Sequence, residues 1–249
     1  MVEQVLLRFL KRIFYLPQYS PDYLILLETE LDPLSVFTLE QHVNYLVKVA
    51  EMPSWRLPRI VALEAINRGI FWADNWRVLA AKFNLPCNLE MGDAAQLRED
   101  ARRIIQAYTE ERRSNFLAKA AASDRFTLYR QLDPAVKCGS FKQPSQCSLS
   151  TMRWIVKMRT ELIKLNAKPF IEDSSEECSM CSRHEREDEF HFLCVCPALS
   201  EFRFAAFGAS VLTREEAVGF LNGPDWSPLV EYCRAAYSFR RFMVSNYNF

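Results

Sequence analysis

Cys178-Ser-Met-Cys181, nine residues, His191, four residues, then Cys196-Pro197: this stretch gathers the chain's metal-ligating side chains and decides how its C-terminal part folds. The pattern is C-x2-C-x9-H-x4-C. A C-x2-C turn aims two thiolates at one point, and an imidazole and a thiolate one turn apart close a tetrahedral shell. Four protein ligands leave no open coordination position, so the expected ion is a single structural zinc and not a hydrolytic one. Cys194 offers an alternative to Cys196, and His184 an alternative to His191. Phe190, Phe192, Leu193 and Val195 alternate around His191 and Cys196 and supply the small apolar wall that a knuckle needs, whereas His184 sits among Arg183, Glu185, Arg186, Glu187, Asp188 and Glu189. The preferred ligands are therefore Cys178, Cys181, His191 and Cys196, in a knuckle covering about 172–197. The apolar run from Phe190 to Val195 also suggests a small hairpin.

Outward from the knuckle, helical periodicity dominates and the fold class is mostly α. Leu6, Leu10, Ile13 and Phe14 share one face of a helix over 2–14 that Pro17 ends. Ser20-Pro21 reads as an N-cap with proline at the first helical position. Further helices are expected over 33–49, 58–68, 73–83 and from Leu97 to about Ala121. Asp93 and Gln96 offer a capping box to the last of these. A short helix over 125–132 follows, then a loop with Pro134, Gly139 and Pro144. Beyond it come helices over 148–165 and 197–207, one led by the Thr213–Glu216 capping box to Leu221, and one from Asp225 or Ser227 to about Met243. The loop suggests two parts: a bundle-like helical domain over 1–133, and a helical domain over 134–249 built around one zinc knuckle.

The 249 residues carry 31 Lys+Arg and 31 Asp+Glu, with 49% hydrophobic and 25% charged, which excludes general disorder. Six glycines in the whole chain argue against a turn-rich sandwich or barrel. The longest stretch free of Asp, Glu, Lys and Arg is 190–200, too short to span a membrane, and no signal peptide is legible, so the chain reads as soluble and intracellular. No P-loop, GxGxxG, GxSxG or HExxH is present, and no small-molecule substrate is suggested. Charge is nonetheless segregated. Segment 126–170 has eight basic and two acidic residues, and 171–200 has two basic and eight acidic. Arg153, Lys157 and Lys164 share one face of the expected helix, a stripe suited to a phosphate backbone. The competing expectation is that the stripe pairs with the acidic loop Glu185–Glu189. Trp72 and Trp76, four apart, share a helix face and suit core packing better than base stacking.

Three stretches, in this order, carry a resemblance. Phe9-Leu10-Lys11-Arg12-Ile13 with Leu16-Pro17 and Ser20-Pro21, then Lys157-Met158-Arg159-Thr160 with Leu165-Asn166, then the knuckle with Asp188-Glu-Phe-His191, Cys196-Pro197 and Arg203 resemble the post-polymerase, zinc-knuckle region of LINE-type (non-LTR) retrotransposon reverse transcriptases. The resemblance implies an accessory segment that helps to position RNA or target DNA, either excised or captured and domesticated. Two departures stand out: Glu161 replaces the family's glycine after Arg-Thr, and no Asp-Asp pair occurs, so the polymerase's catalytic motif is absent. The resulting expectation is a non-catalytic nucleic-acid-binding module with a structural zinc. The alternative is a domesticated protein–protein adaptor in which zinc only holds the fold.

Overall fold

Leu7, Leu10 and Phe14 recur at helical spacing and are buried, which folds Val2–Phe14 as α1. In the computed structural model, which describes residues 2–89, 91–136, 147–167 and 175–247, the chain is mostly helical. After α1 come α2 (Asp22–Thr29), α3 (Leu34–Ala50), α4 (Leu57–Asn67), α5 (Phe71–Lys82), α6 (Ala94–Ala121), α7 (Leu149–Arg159), α8 (Ser200–Phe207), α9 (Arg214–Leu221) and α10 (Ser227–Tyr247). Among the described residues the only β pairing is one antiparallel bridge, Glu177 to Arg186.

The chain forms two compact units that are not consecutive halves. The first comprises Met1–Glu3 with Asp32–Phe116, and the second Gln4–Leu31 with Leu117–Phe249. The expected division at 133/134 does not coincide with them, and most of the loop on which it was placed (137–146) lies outside the described residues. Residues far apart in sequence decide the units: Glu28 at the end of α2 is tied to Tyr129 and Arg159.

In the first unit, Val43, Leu46, Val47, Trp76 and Ile104 bring α3, α5 and α6 around one core. Trp76 donates its indole N–H to His42 Nδ1 at 3.0 Å, and Trp72 meets the His42 ring edge-on at 5.3 Å. Both tryptophans are thereby used in packing. Asp93 caps α6 through the Ala95 and Gln96 amides. The Gln96 side chain does not return to complete the box and bonds Asp100 instead, at 2.6 Å.

In the second unit, α10 packs against α7, α8 and α9. The Thr213–Glu216 capping box forms in full, and Asp225 caps α10 through the Ser227 amide. Ser20 does not cap α2: its hydroxyl bonds the Pro17 carbonyl, and the helix starts after Pro21. The expected helix over 148–165 ends at Arg159. Glu161 takes φ 54°, a left-handed conformation that an α-helix cannot continue, and its carboxylate accepts the Leu128 and Tyr129 amides at 2.9 and 2.8 Å. Where a helix over 125–132 is expected, a single 3₁₀ turn, Tyr129–Gln131, forms.

Candidate metal centre and a cationic groove

The two thiolate donors of the C-x2-C turn come from the smallest possible ladder. Cys178 N–H bonds the Glu185 carbonyl at 2.9 Å, and Glu187 N–H bonds the Glu176 carbonyl at 2.8 Å. The chain between reverses through His184 at φ 55°. The other two donors come from a wide turn over His191–Val195, where a hairpin is expected and does not form. Its closing bond runs from Cys196 N–H to the His191 carbonyl, five residues back, at 2.9 Å. In an α-helix residues five apart point about 140° away from each other. The i→i+5 turn stacks them, and this is how H-x4-C can serve one ion.

The ligand atoms of Cys178, Cys181, His191 and Cys196 all lie within 4.8 Å of one another. Cys178 and Cys196 sulfurs are 3.8 Å apart, and Cys181 Sγ is 3.5 Å from His191 Nε2. The group is close enough to bind one metal ion. His184 is exposed and bonds Glu177 at 2.9 Å. Cys194 is fully buried and lies outside the ligand group, its carbonyl bonding the Leu212 amide. The structure thus brings together the four preferred ligands and neither alternative.

Electrostatics fit a cation. The neighbouring Cys196 sulfur, with burial, pushes the Cys178 thiol up to about 12, while the same contact lowers Cys196. Two buried thiols this close do not both ionise without a positive charge between them. His191 Nδ1 meets Glu185 Oε2 at 3.0 Å, which assigns the N–H to Nδ1 and leaves the Nε2 lone pair facing the thiols.

Sequence reasoning missed the support beneath this group. Glu187, in the acidic run that follows His184, is completely buried. It takes the Arg240 guanidinium at 2.7 and 2.5 Å and the Asn166 amide at 2.8 Å, and it stands 3.9 Å from the Cys178 sulfur. Asn166 bonds on to the Glu177 carbonyl and Ser179. Arg203 closes the far side through the Cys196 and Ser210 carbonyls. An acidic run carries no signal of which carboxylate turns inward; the arginine at 240 was the only clue.

The three residues of the basic stripe fare differently. Arg153 gives its Nε–H to the Ile13 carbonyl at 2.6 Å and lies 4.3 Å over the Tyr15 ring. Lys157 sits 5.5 Å from the same ring, and burial lowers its pKa. Lys164 lies beyond the end of α7, so the three do not share one helix face. Lys157 and Lys164 nevertheless line one groove of about 710 Å³ with Arg241, Tyr15, Tyr19 and Tyr237. No carboxylate lines it among the described residues. It continues along α10 past Arg241, Val244 and Ser245. The expected pairing of the stripe with Glu185–Glu189 is absent among the described residues; the carboxylates of that loop meet His191, Arg183 and Arg240 instead, and its Arg186 pairs with Glu176.

No helix among the described residues is long and apolar enough to cross a membrane. Comparison of the chain with protein-family models, curated proteins and solved structures finds no match in any of the three.

Proposed function

We propose that this chain is a non-catalytic nucleic-acid-binding module, held in shape by one structural zinc and derived from the post-polymerase region of a LINE-type retrotransposon. The observation that carries the binding role is the groove in which Lys157, Lys164 and Arg241 converge with no carboxylate among them. Three cations on one concave surface with no carboxylate lining it among the described residues repel one another, and a polyanion that releases its counterions relieves that repulsion.

Zinc is supported by the donor set and by its dimensions. Zn–S bonds of about 2.3 Å and a Zn–N bond of about 2.05 Å at tetrahedral angles give an S···S edge of about 3.8 Å and an S···N edge of about 3.6 Å. Two of the six edges, Cys178–Cys196 and Cys181–His191, are 3.8 and 3.5 Å, and all six lie within 4.8 Å. Three sulfurs and one imidazole also disfavour calcium and magnesium, which take oxygen. With every position filled by protein, the ion's chemistry is to hold Cys178, Cys181, His191 and Cys196 together; it has no site for a reacting water.

The retrotransposon origin rests on the order of the three motifs. One backbone detail supports it: Glu161, the position where the family carries glycine, adopts φ 54°, which glycine takes without strain. A second reading, the interaction adaptor, is favoured by α4, where Leu57, Ile60 and Val61 are exposed beside Trp55.

The test is binding of RNA and DNA across a salt series by the zinc-loaded protein and by a Lys157→Glu/Lys164→Glu/Arg241→Glu variant. Affinity that falls steeply with salt in the wild type and is lost in the variant, with an unchanged melting temperature, supports the proposal. Absence of binding at low salt refutes it and leaves the adaptor.

A further inference from the structure

The cations of the groove do not account for its tyrosines. Tyr15 is 66% exposed and Tyr19 48% exposed, although both are large rings on a concave surface. Tyr15 is fixed in place. It follows the last residue of α1 at φ 52°, and Leu16 N–H bonds back to the Lys11 carbonyl at 2.8 Å. Arg153, anchored on the Ile13 carbonyl, spreads its guanidinium over the Tyr15 ring. The opposite wall is equally set: Tyr237 gives its hydroxyl to the Lys164 carbonyl at 3.3 Å and packs edge-on against Trp154 at 5.5 Å. An exposed ring that its neighbours hold in one orientation is a pre-organised stacking platform.

We propose that this groove is a single-strand site: unpaired bases stack on Tyr15, with Tyr19 and Tyr237 as adjoining walls, while Lys157, Lys164 and Arg241 hold the phosphates between them. The inference rests on the nucleic-acid reading above and narrows it. In a duplex the base faces are already stacked on one another, so tyrosines gain nothing there, and a cylinder about 20 Å across does not enter a cleft of this size. A single strand presents a π-face at every nucleotide and bends into a concave site. Arg153 is a positioning residue here. Its guanidinium is spent on Ile13 and Tyr15, and it orients the platform without taking a phosphate.

The experiment measures affinity of the zinc-loaded full chain for fluorescent oligo-U, oligo-dT and a mixed-sequence duplex of equal length, each of about ten nucleotides, at several salt concentrations. At least one single strand should bind about tenfold or more tighter than the duplex. Tyr15→Ala should weaken single-strand binding about fivefold or more and leave duplex binding unchanged, while Tyr15→Phe, which keeps the ring, should restore it. Lys164→Gln should reduce the single-strand salt slope by about 0.7. Equal affinity for duplex and single strands overturns the inference while the nucleic-acid reading stands. No binding of any probe at low salt overturns both. A single-strand preference that survives both Tyr15→Ala and Lys164→Gln overturns the groove as its location.

Discussion

Replacing Arg159 by leucine tests whether the arginine of the Arg159-Thr160 motif is a core pin or a ligand contact. Its side chain has no exposure at all and that of Glu28 has 1%. Arg159 Nε meets Glu28 Oε2 at 2.8 Å, NH1 meets the Leu221 carbonyl at 2.5 Å, and NH2 meets the Asp133 carbonyl at 3.2 Å. One guanidinium therefore joins α2, the end of α9 and the segment after the 3₁₀ turn. Leucine removes every one of these bonds and takes the counter-charge from Glu28, whose Oε1 keeps the Tyr129 hydroxyl at 3.1 Å. Breaking a buried pair from one side costs about 3–5 kcal/mol. For a chain of this size that corresponds to a fall in Tm of about 6–20 °C. Adding Glu28→Leu should recover part of the loss, because the buried carboxylate is then removed together with its guanidinium. Denaturant titrations of the two variants and wild type measure this. A loss below about 1 kcal/mol, or one that the second substitution deepens by a further full increment, would refute the pin.

Four other outcomes are expected. Ala at Cys178, Cys181, His191 or Cys196 should lose the metal, while Ala at His184 or Cys194 should retain one ion per chain by elemental analysis; Cys194→Ala should cost only about 1 kcal/mol for a small cavity. Glu185→Ala frees the His191 imidazole to rotate and should weaken metal affinity about 10- to 100-fold in a chelator competition. Burial raises Glu161 to about 7, above its ordinary range, so the folded form holds a proton that the unfolded chain releases. Stability should accordingly fall as pH rises from about 4.5 through about 7, by at most about 3 kcal/mol from this group, and Glu161→Gln should remove that component while its amide oxygen still accepts the Leu128 and Tyr129 amides. Glu187→Gln should loosen both the Arg240 anchor and the metal site, seen as lower metal affinity together with a lower Tm, whereas a purely surface acid would move neither.

The helices were legible wherever apolar residues recur at helical spacing or a cap is local. The expected 2–14 and the Thr213–Glu216 box correspond to α1 and to the start of α9. The four preferred ligands were legible because C-x2-C and H-x4-C each fit within one turn. What the sequence hid is long-range or inward-turning. Glu161 breaks a periodic helix only because amides thirty-odd residues earlier capture its carboxylate. Glu187 lies in a run of charges and is buried because Arg240, 53 residues on, neutralises it. Tyr15 and Arg241 join Lys157 through the packing of α1, α7 and α10, which no local pattern encodes.

The tie between Glu28 and Arg159 has a bearing on how the chain is made. Arg159 follows Glu28 by 131 residues, and the stretch between them includes Asp32–Phe116 of the first compact unit. At about 5–20 residues per second, a ribosome needs roughly 7–26 seconds to deliver the arginine after the glutamate. Throughout that interval α2 has been synthesised but lacks the arginine that Glu28 later meets. The stretch 32–116 can close on itself in the meantime, since its core draws on α3 to α6. The Arg159 anchor of α2 is thus set in place only after the whole of 32–116 has been made.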